Sequence, residues 1–300
     1  MLAGDGGGTK YAWDSATIIG LFCGAGGNLL IFLAWERSMG HDAMIPLALV
    51  RRQAIWSSCL NTAGFIGCAF TTVYYFPIWF QAVKGASPTA SGVDMVPLIA
   101  LEMATTVITG ALIQRVGYSL PFVLVGSALT AIGTGLVTTL TPASSIGSRV
   151  GYQILQGCQG LAFQIPLLAV QTNVSEEQLA VATALVVFSQ NLSGAVFLSL
   201  AEVIFSNQLR HELTMNAPGV DTSAVISAGA SASGVRNAVP ASDLPGVILA
   251  YSRSFDHVMY LAMGSAIGAF LFATCMGWVP MKKETENFNG EMVGINDQSA

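Results

Sequence analysis

Seven stretches of this sequence are each apolar over about 20 residues or more, and this feature most restricts how the chain can fold. A helix of about 20 residues spans the hydrocarbon core of a bilayer. A strand of a membrane β-barrel would instead alternate in polarity over about ten residues. The sequence therefore predicts an all-α polytopic membrane protein. The seven windows are 16–35, 55–80, 92–113, 120–139, 146–170, 180–205 and 258–278.

Composition excludes most other classes of protein. Charged residues make up 10% of the chain and hydrophobic residues 53%, whereas a soluble protein carries roughly 25% charged residues. The net charge of −5, without a basic stripe, argues against nucleic acid as a partner. The five cysteines lie in apolar stretches without metal-ligand spacing, and no catalytic triad or phosphate loop occurs. We predict no enzyme activity, no metal and no cofactor.

The charges of the short loops indicate how the chain is oriented. If loops alternate between the two sides, six basic residues lie on one side and three in the short loops of the other, so the positive-inside rule makes the first side cytoplasmic. The long polar segment 206–256, rich in Ala, Ser and Gly at its centre, is then a long extracellular loop. The six residues are Arg37, Arg51, Arg52, Arg115, Lys282 and Lys283.

An ordered set of short motifs gives the chain a family resemblance. The run Tyr74-Tyr75-Phe76-Pro77-Ile78-Trp79-Phe80-Gln81, the turn from Gly110 to Tyr118 with Arg115 and Gly117, and the segment Gly151-Tyr152-Gln153 are found in this order. They are followed by Gly157, Gly160, Gln164, Pro166 and Ala169-Val170-Gln171, then Ala182-Thr183-Ala184, Gln190 and Gly194, and Leu244-Pro245-Gly246-Val247. Together they resemble the C-terminal half of fungal fourteen-span drug:proton antiporters of the major facilitator superfamily.

The resemblance implies a domain organisation. It makes 1–15 an extracellular loop, 16–35 a linker transmembrane helix, 36–54 a cytoplasmic loop, 55–280 a six-helix transporter bundle and 281–300 a cytoplasmic tail. It also implies that an N-terminal bundle is missing and that transport would need it. The implied function is proton-coupled efflux of drugs, toxins or secondary metabolites, with a small amphipathic organic molecule, the proton and the lipid bilayer as partners. The expected location is the plasma membrane, with the vacuolar membrane as an alternative.

Two other functions stay open at this point. The chain could be a truncated membrane fragment that transports nothing, because seven spans are expected to be absent. It could also transport another small solute, such as a sugar, an amino acid or an iron chelate.

Glu102 is the most informative single residue, because it lies in the middle of the 92–113 window. An ionisable group there costs roughly 2.5–3.5 kcal/mol on insertion scales. Thr105, Thr106 and Thr109 follow at i+3, i+4 and i+7 and share a helical face with Glu102. One interpretation is a cavity-lining carboxyl that couples protons to transport. The other is a neutral, hydrogen-bonded Glu that packs against another helix.

Other polar and aromatic residues are candidates for the substrate cavity or for helix packing. Gln164 and Gln171 fall on one predicted face with Gln153 and Gly160, and Tyr75 and Trp79, four residues apart, could stack on flat or cationic substrates. An interfacial aromatic belt is the alternative for that pair. The substrate candidates are Asn61, Tyr75, Trp79, Thr106, Thr109, Gln164, Gln171 and Gln190, and Arg115 and Pro166 are candidates for gating.

Overall fold

The computed structural model describes residues 16–39, 47–222, 225–226, 234–235 and 239–277, and this part of the chain is helical throughout its regular elements. Five of its helices, Gln53–Ala82, Val96–Val116, Leu120–Val137, Glu176–Asn216 and Leu244–Thr274, are long and apolar enough to cross a membrane. The elements are α1 Ala16–Met39, α2 Leu47–Val50, α3 Gln53–Ala82, α4 Pro88–Asp94, α5 Val96–Val116, α6 Leu120–Val137, α7 Ile146–Gly157, a 3₁₀ turn Cys158–Leu161, α8 Ile165–Thr172, α9 Glu176–Asn216 and α10 Leu244–Thr274.

Helices α3 and α10 form the centre of the bundle. Helix α10 packs against α3, α6 and α9, while α5 packs against α7 and the 3₁₀ turn. A Cβ at Gly64 of α3 would lie 2.6 Å from the carbonyl oxygen of Ser265, so only glycine allows this approach. Beside it, the Asn61 side chain donates its Nδ2 proton to the Ala269 carbonyl at 2.6 Å. Small residues and one buried amide therefore hold the two central helices together.

Helix α1 has a different environment. Its side chains Leu30, Ile31 and Trp35 are mostly exposed, and within the described residues α1 makes no extensive contact with another helix. An apolar helix with this exposure is stable only against lipid or another apolar surface.

Two predicted spans are divided in the structure. The 92–113 window is broken at Met95, because α4 ends at Asp94 and α5 begins with Pro97 in its first turn, where the missing N–H of proline costs no hydrogen bond. The 146–170 window is divided into α7, the 3₁₀ turn and α8. The continuous helices predicted for these two windows were wrong.

The predicted loop 206–256 is helical at both ends. Helix α9 continues to Asn216, and α10 begins at Leu244 rather than at 258. The extensions are amphipathic: Leu209 and Leu213 are buried, while polar side chains occupy the other face. Hydropathy averaged over a window misses a helix that continues beyond the apolar region, because its polar face lowers the mean.

An ion pair joins the two extensions. The Arg253 guanidinium donates to the Glu212 carboxylate at 3.1 Å, and the Asn216 amide donates to the same oxygen at 2.8 Å. The predicted segments 1–15 and 281–300, with Lys282 and Lys283, lie outside the described residues.

The loop after α3 is tied to the loop before α7. The Lys84 ammonium donates to the carbonyls of Pro142 and Ser144 at 2.6 and 3.2 Å and lies over the Trp79 ring. Burial, together with the nearby charge of Arg149, lowers the pKa of Lys84. These contacts hold the C-terminal end of α3, with Trp79, against the loop before α7.

Candidate functional site: a groove with Glu102 in its wall

The main candidate site is a groove of about 360 Å³ between α3, α5, α9 and the segment that joins the 3₁₀ turn to α8. Its walls are apolar and aromatic, apart from one carboxyl group and one phenol. The lining residues are Ile66, Ala69, Phe70, Val73, Tyr74, Glu102, Phe163 and Leu198.

A small recess, lined by both polar and apolar residues, adjoins this groove. Its volume is about 10 Å³, which is about the space that one water molecule needs. The recess shares Ala69, Val73 and Glu102 with the groove, so the two spaces meet at the Glu102 side chain. It is completed by Thr72, Leu98, Gln156 and Gln159.

Glu102 has no hydrogen-bond partner for its carboxyl group within the described part of the chain, although the side chain is half-buried. A carboxyl group inside an apolar bundle is unfavourable unless it is protonated, paired or in contact with water in a cavity. The third condition fits this position, because Glu102 lines both the groove and the recess.

The break after α7 brings Glu102 to this place. The hydroxyls of Thr105 and Thr106 donate within α5, to the carbonyls of Leu101 and Glu102 at 2.8 Å, and lie 3.2 Å from the carbonyl oxygens of Gly157 and Gly160, respectively. A Cβ at Gly160 would collide with the Glu102 carbonyl oxygen and with both threonine hydroxyls. The two glycines therefore let α5 approach the broken segment closely, with Glu102 at the contact.

Gln156 forms the polar end of the recess. Its side chain is 2% exposed, and its Nε2 donates to the hydroxyls of Thr72 at 2.7 Å and Thr134 at 3.2 Å. Its Oε1 is buried and accepts no hydrogen bond from the described residues. The amide thus links α7 to α3 and α6 through its donor and keeps its acceptor free.

Three further predicted cavity residues, Asn61, Thr106 and Thr109, line neither the groove nor its recess. Thr106 also donates to the Glu102 carbonyl at 2.8 Å, and Thr109 is buried with no partner for its hydroxyl among the described residues. Asn61 lies at the contact between α3 and α10 and does not line the groove.

The predicted glutamine face is not formed as one surface. Because the helix is broken between Gly157 and Ile165, the intervals that would align Gln153 with Gln164 and Gln171 on one helix do not apply. Gln164 is exposed at the start of α8, and Gln171 and Gln190 are partly exposed. None of the three lines the groove or its recess.

Tyr75 and Trp79 are buried rather than free to stack, and each is 1% exposed. The Tyr75 hydroxyl donates to the Glu202 carboxylate at 3.0 Å, and its ring packs on Phe205 with centroids 5.2 Å apart. Trp79 packs on Phe255 and donates to the Ser252 hydroxyl at 3.4 Å. Neither ring lines the groove, which receives the neighbouring Tyr74 instead.

Comparison with known proteins decides the family. The sequence profile described as Major Facilitator Superfamily matches residues 5–198, more than half of the chain. The chain belongs to the major facilitator superfamily. The family and the all-α polytopic fold that the sequence predicted are therefore confirmed, and the protein is an integral membrane protein.

Its curated relatives are fungal transporters of this superfamily. The chain is 46% identical to the MFS-type transporter pigP of Monascus ruber over 93% of this chain and 49% of the relative. It is 44% identical to the efflux pump mlcE of Penicillium citrinum, over 92% of this chain and 50% of the relative. The efflux pump mokI of Monascus pilosus is 43% identical over 93% and 51%, respectively. The chain spans about half the length of the curated relatives it matches.

In this facilitator chain, the two predicted gating residues lie at helix ends. Arg115 is exposed in the last turn of α5, and not in a loop as predicted, because the helix continues to Val116. Gly117 follows with φ 74°, a left-handed conformation that favours glycine and ends the helix. Pro166 is buried at the second position of α8, after the break rather than inside a kinked helix.

Sequence reasoning missed Gln156, Gln159 and Thr72. The signal was present, because Gln153, Gln156 and Gln159 recur at intervals of three and share a face of α7 and the 3₁₀ turn. The sequence analysis instead followed the longer spacing from Gln153 to Gln164 and Gln171, which places these residues on one face only if the helix is unbroken.

Proposed function

We propose that this chain forms the substrate-binding half of a proton-coupled exporter of small amphipathic organic molecules. The observation that carries the proposal is the position of Glu102: an unpaired carboxyl in the wall of an apolar and aromatic groove within a membrane bundle. Intramembrane acids that face a cavity are typical of proton and ion pathways.

The groove suits a molecule with a large apolar surface. Its volume of about 360 Å³ lies within the range of roughly 300–1,000 Å³ for small-molecule sites. Phe70, Tyr74 and Phe163 offer ring surfaces to aromatic or aliphatic groups, and Glu102 with its recess provides the polar contact. A specific sugar site would need several convergent polar groups, and the groove does not provide them.

Glu102 would couple transport to the proton gradient by binding proton and substrate in turn. With the groove open to the acidic exterior, Glu102 takes up a proton and the substrate leaves. With the groove open to the cytoplasm, Glu102 releases the proton and the next substrate binds. Each full cycle moves a proton inwards and a substrate outwards.

The opposite wall of the pathway would come from a second bundle, since this chain spans about half of its relatives. Two of those relatives are named efflux pumps, which supports export as the direction of transport. We propose the plasma membrane as its location, with the vacuolar membrane as the alternative.

Efflux from drug-sensitive yeast tests the proposal. Cells would express this chain alone, or this chain fused after the N-terminal half of the pigP relative, and would be loaded with a panel of fluorescent hydrophobic dyes. We expect the fusion to export at least one dye, and a protonophore to abolish that export. Equal dye retention in cells with the fusion and in cells with an empty vector would contradict the proposal.

Cysteine labelling tests the proposed orientation. We expect a cysteine at Lys282 to react with a membrane-impermeant maleimide only after the cells are opened, and a cysteine at Ser87, an exposed position between α3 and α4, to react in intact cells. The parent chain, with its five native cysteines, provides the background signal. The opposite labelling pattern would reverse the topology.

A further inference from the structure

The oxygen of Gln156 is one of several buried polar atoms that lack a partner among the described residues, and it belongs to a residue that lines the recess. The Gln156 oxygen is buried without a donor among the described residues, and the Gln156 side chain lines the recess beside Glu102. A buried amide oxygen without a donor is unfavourable by about the free energy of a lost hydrogen bond. A ligand that supplies one proton donor there would gain this free energy.

The hydrogen bonds around Gln156 fix which of its atoms is free. The Thr134 hydroxyl donates its own proton to the Thr130 carbonyl at 2.8 Å, so it can only accept from Gln156. The nitrogen of Gln156 must therefore face Thr134, and the oxygen is the atom left over. The recess is therefore bordered by an amide whose buried oxygen has no donor among the described residues.

The size of the recess restricts the donor to one small group. A volume of about 10 Å³ admits one oxygen or nitrogen atom with its proton but not a ring. Since the recess and the groove share three lining residues, a molecule lying in the groove can extend a single O–H into the recess.

We infer that the recess at Gln156 is a specificity site for the hydroxyl group of an amphipathic substrate. The hydroxyl donates its proton to Gln156 Oε1, and the Gln159 amide and the Glu102 carboxyl border the same space. The apolar body of the substrate lies in the groove against Phe70 and Phe163. This inference rests on the proposed function for its biological meaning, but it concerns binding and is tested without transport.

The experiment compares two probes that differ in one donor. The 300-residue chain, reconstituted in lipid nanodiscs, would be titrated with 2-naphthol and with 2-methoxynaphthalene, and binding would be followed by probe fluorescence. We expect 2-naphthol to bind at least about fivefold more tightly, because the ether leaves Gln156 without a donor. In the Gln156→Leu variant we expect the two probes to bind with about equal affinity.

Gln153→Leu is the matched control. Gln153 lies one turn earlier on α7, is equally buried and also has an unpaired oxygen, but it does not line the recess. We expect this variant to keep the preference for 2-naphthol. If it loses the preference as Gln156→Leu does, the effect is a general disturbance of α7 and the inference is overturned.

The same data distinguish a substrate hydroxyl from a resident water molecule. If a water molecule supplies the donor, the parent chain binds both probes equally, and the inference is overturned even when the yeast assay shows efflux. If the preference is present and depends on Gln156 while the fusion exports no dye, the inference stands and the proposed transport function fails.

Discussion

Gly160→Val is expected to destabilise the folded bundle by about 3 kcal/mol, at the upper end of the range for overpacking. A β-carbon at Gly160 would lie 2.8 Å from the Thr106 hydroxyl and closer still to the Glu102 carbonyl oxygen and the Thr105 hydroxyl. The chain cannot relieve this contact by moving one flexible side chain, because one of the opposing atoms belongs to the α5 backbone. The new side chain must push α5 away from the 3₁₀ turn.

The measurement is the melting temperature of the detergent-solubilised chain. The chain, fused to a fluorescent protein, is heated to a series of temperatures, and the fraction that stays folded is read from the size-exclusion peak at each temperature. A loss of this size corresponds to a fall in melting temperature of roughly 6–12 °C. Gly151→Val is the control, since Gly151 lies on α7 and a β-carbon there would meet no atom within 4 Å. Equal melting temperatures for the two variants would show that α5 does not pack on the turn as described.

Glu102→Gln is expected to abolish the pH dependence of efflux in the fusion with the N-terminal half of pigP. An amide has nearly the shape of the acid but cannot bind and release a proton. For the parent fusion we expect efflux to slow as the external pH rises from 5 to 8, since fewer protons are available to enter. For the variant, the residual efflux should be the same at each pH.

Dye efflux would be measured at a series of external pH values with equal protein in the membrane. The control is Glu177→Gln, which changes an exposed acid in the first turn of α9, away from the groove, and should leave the pH profile unchanged. A normal pH profile in Glu102→Gln would remove Glu102 from proton coupling and leave it a role in substrate contact or packing.

Much of the fold could be predicted because the length and apolarity of a segment decide whether it can span a bilayer as a helix. The windows 55–80 and 120–139 agree closely with α3 and α6, since a continuous apolar run of this length has no stable alternative to a helix in lipid. The predicted ends of the last two long helices were wrong, because these helices continue beyond the apolar windows into polar sequence. Helices α9 and α10 extend into polar sequence because Leu209, Leu213 and Val247 are buried between them.

The site could be predicted only in part. Glu102 stood out because an acid in an apolar window is costly wherever its helix packs, so no tertiary information was needed to notice it. Gln156 could not be distinguished from Gln164 in this way, since both are neutral amides in the same apolar window. The break after Gly157 decides that Gln156 is buried beside Glu102 and that Gln164 is exposed at the start of α8.

The sequence by itself determined the membrane-embedded helical class, the family and the position of Glu102, an acid in the middle of an apolar window beside three threonines. Each of these depends on residue type and spacing along a single helix, and this information is local. The tertiary structure alone decided that Tyr75 and Trp79 are buried, that Tyr74 lines the groove, and that Gln156, with a buried oxygen that lacks a donor among the described residues, lines the same recess as Glu102. These facts depend on which helices meet and how closely, and the approach at Gly160 depends on residues far apart in the chain.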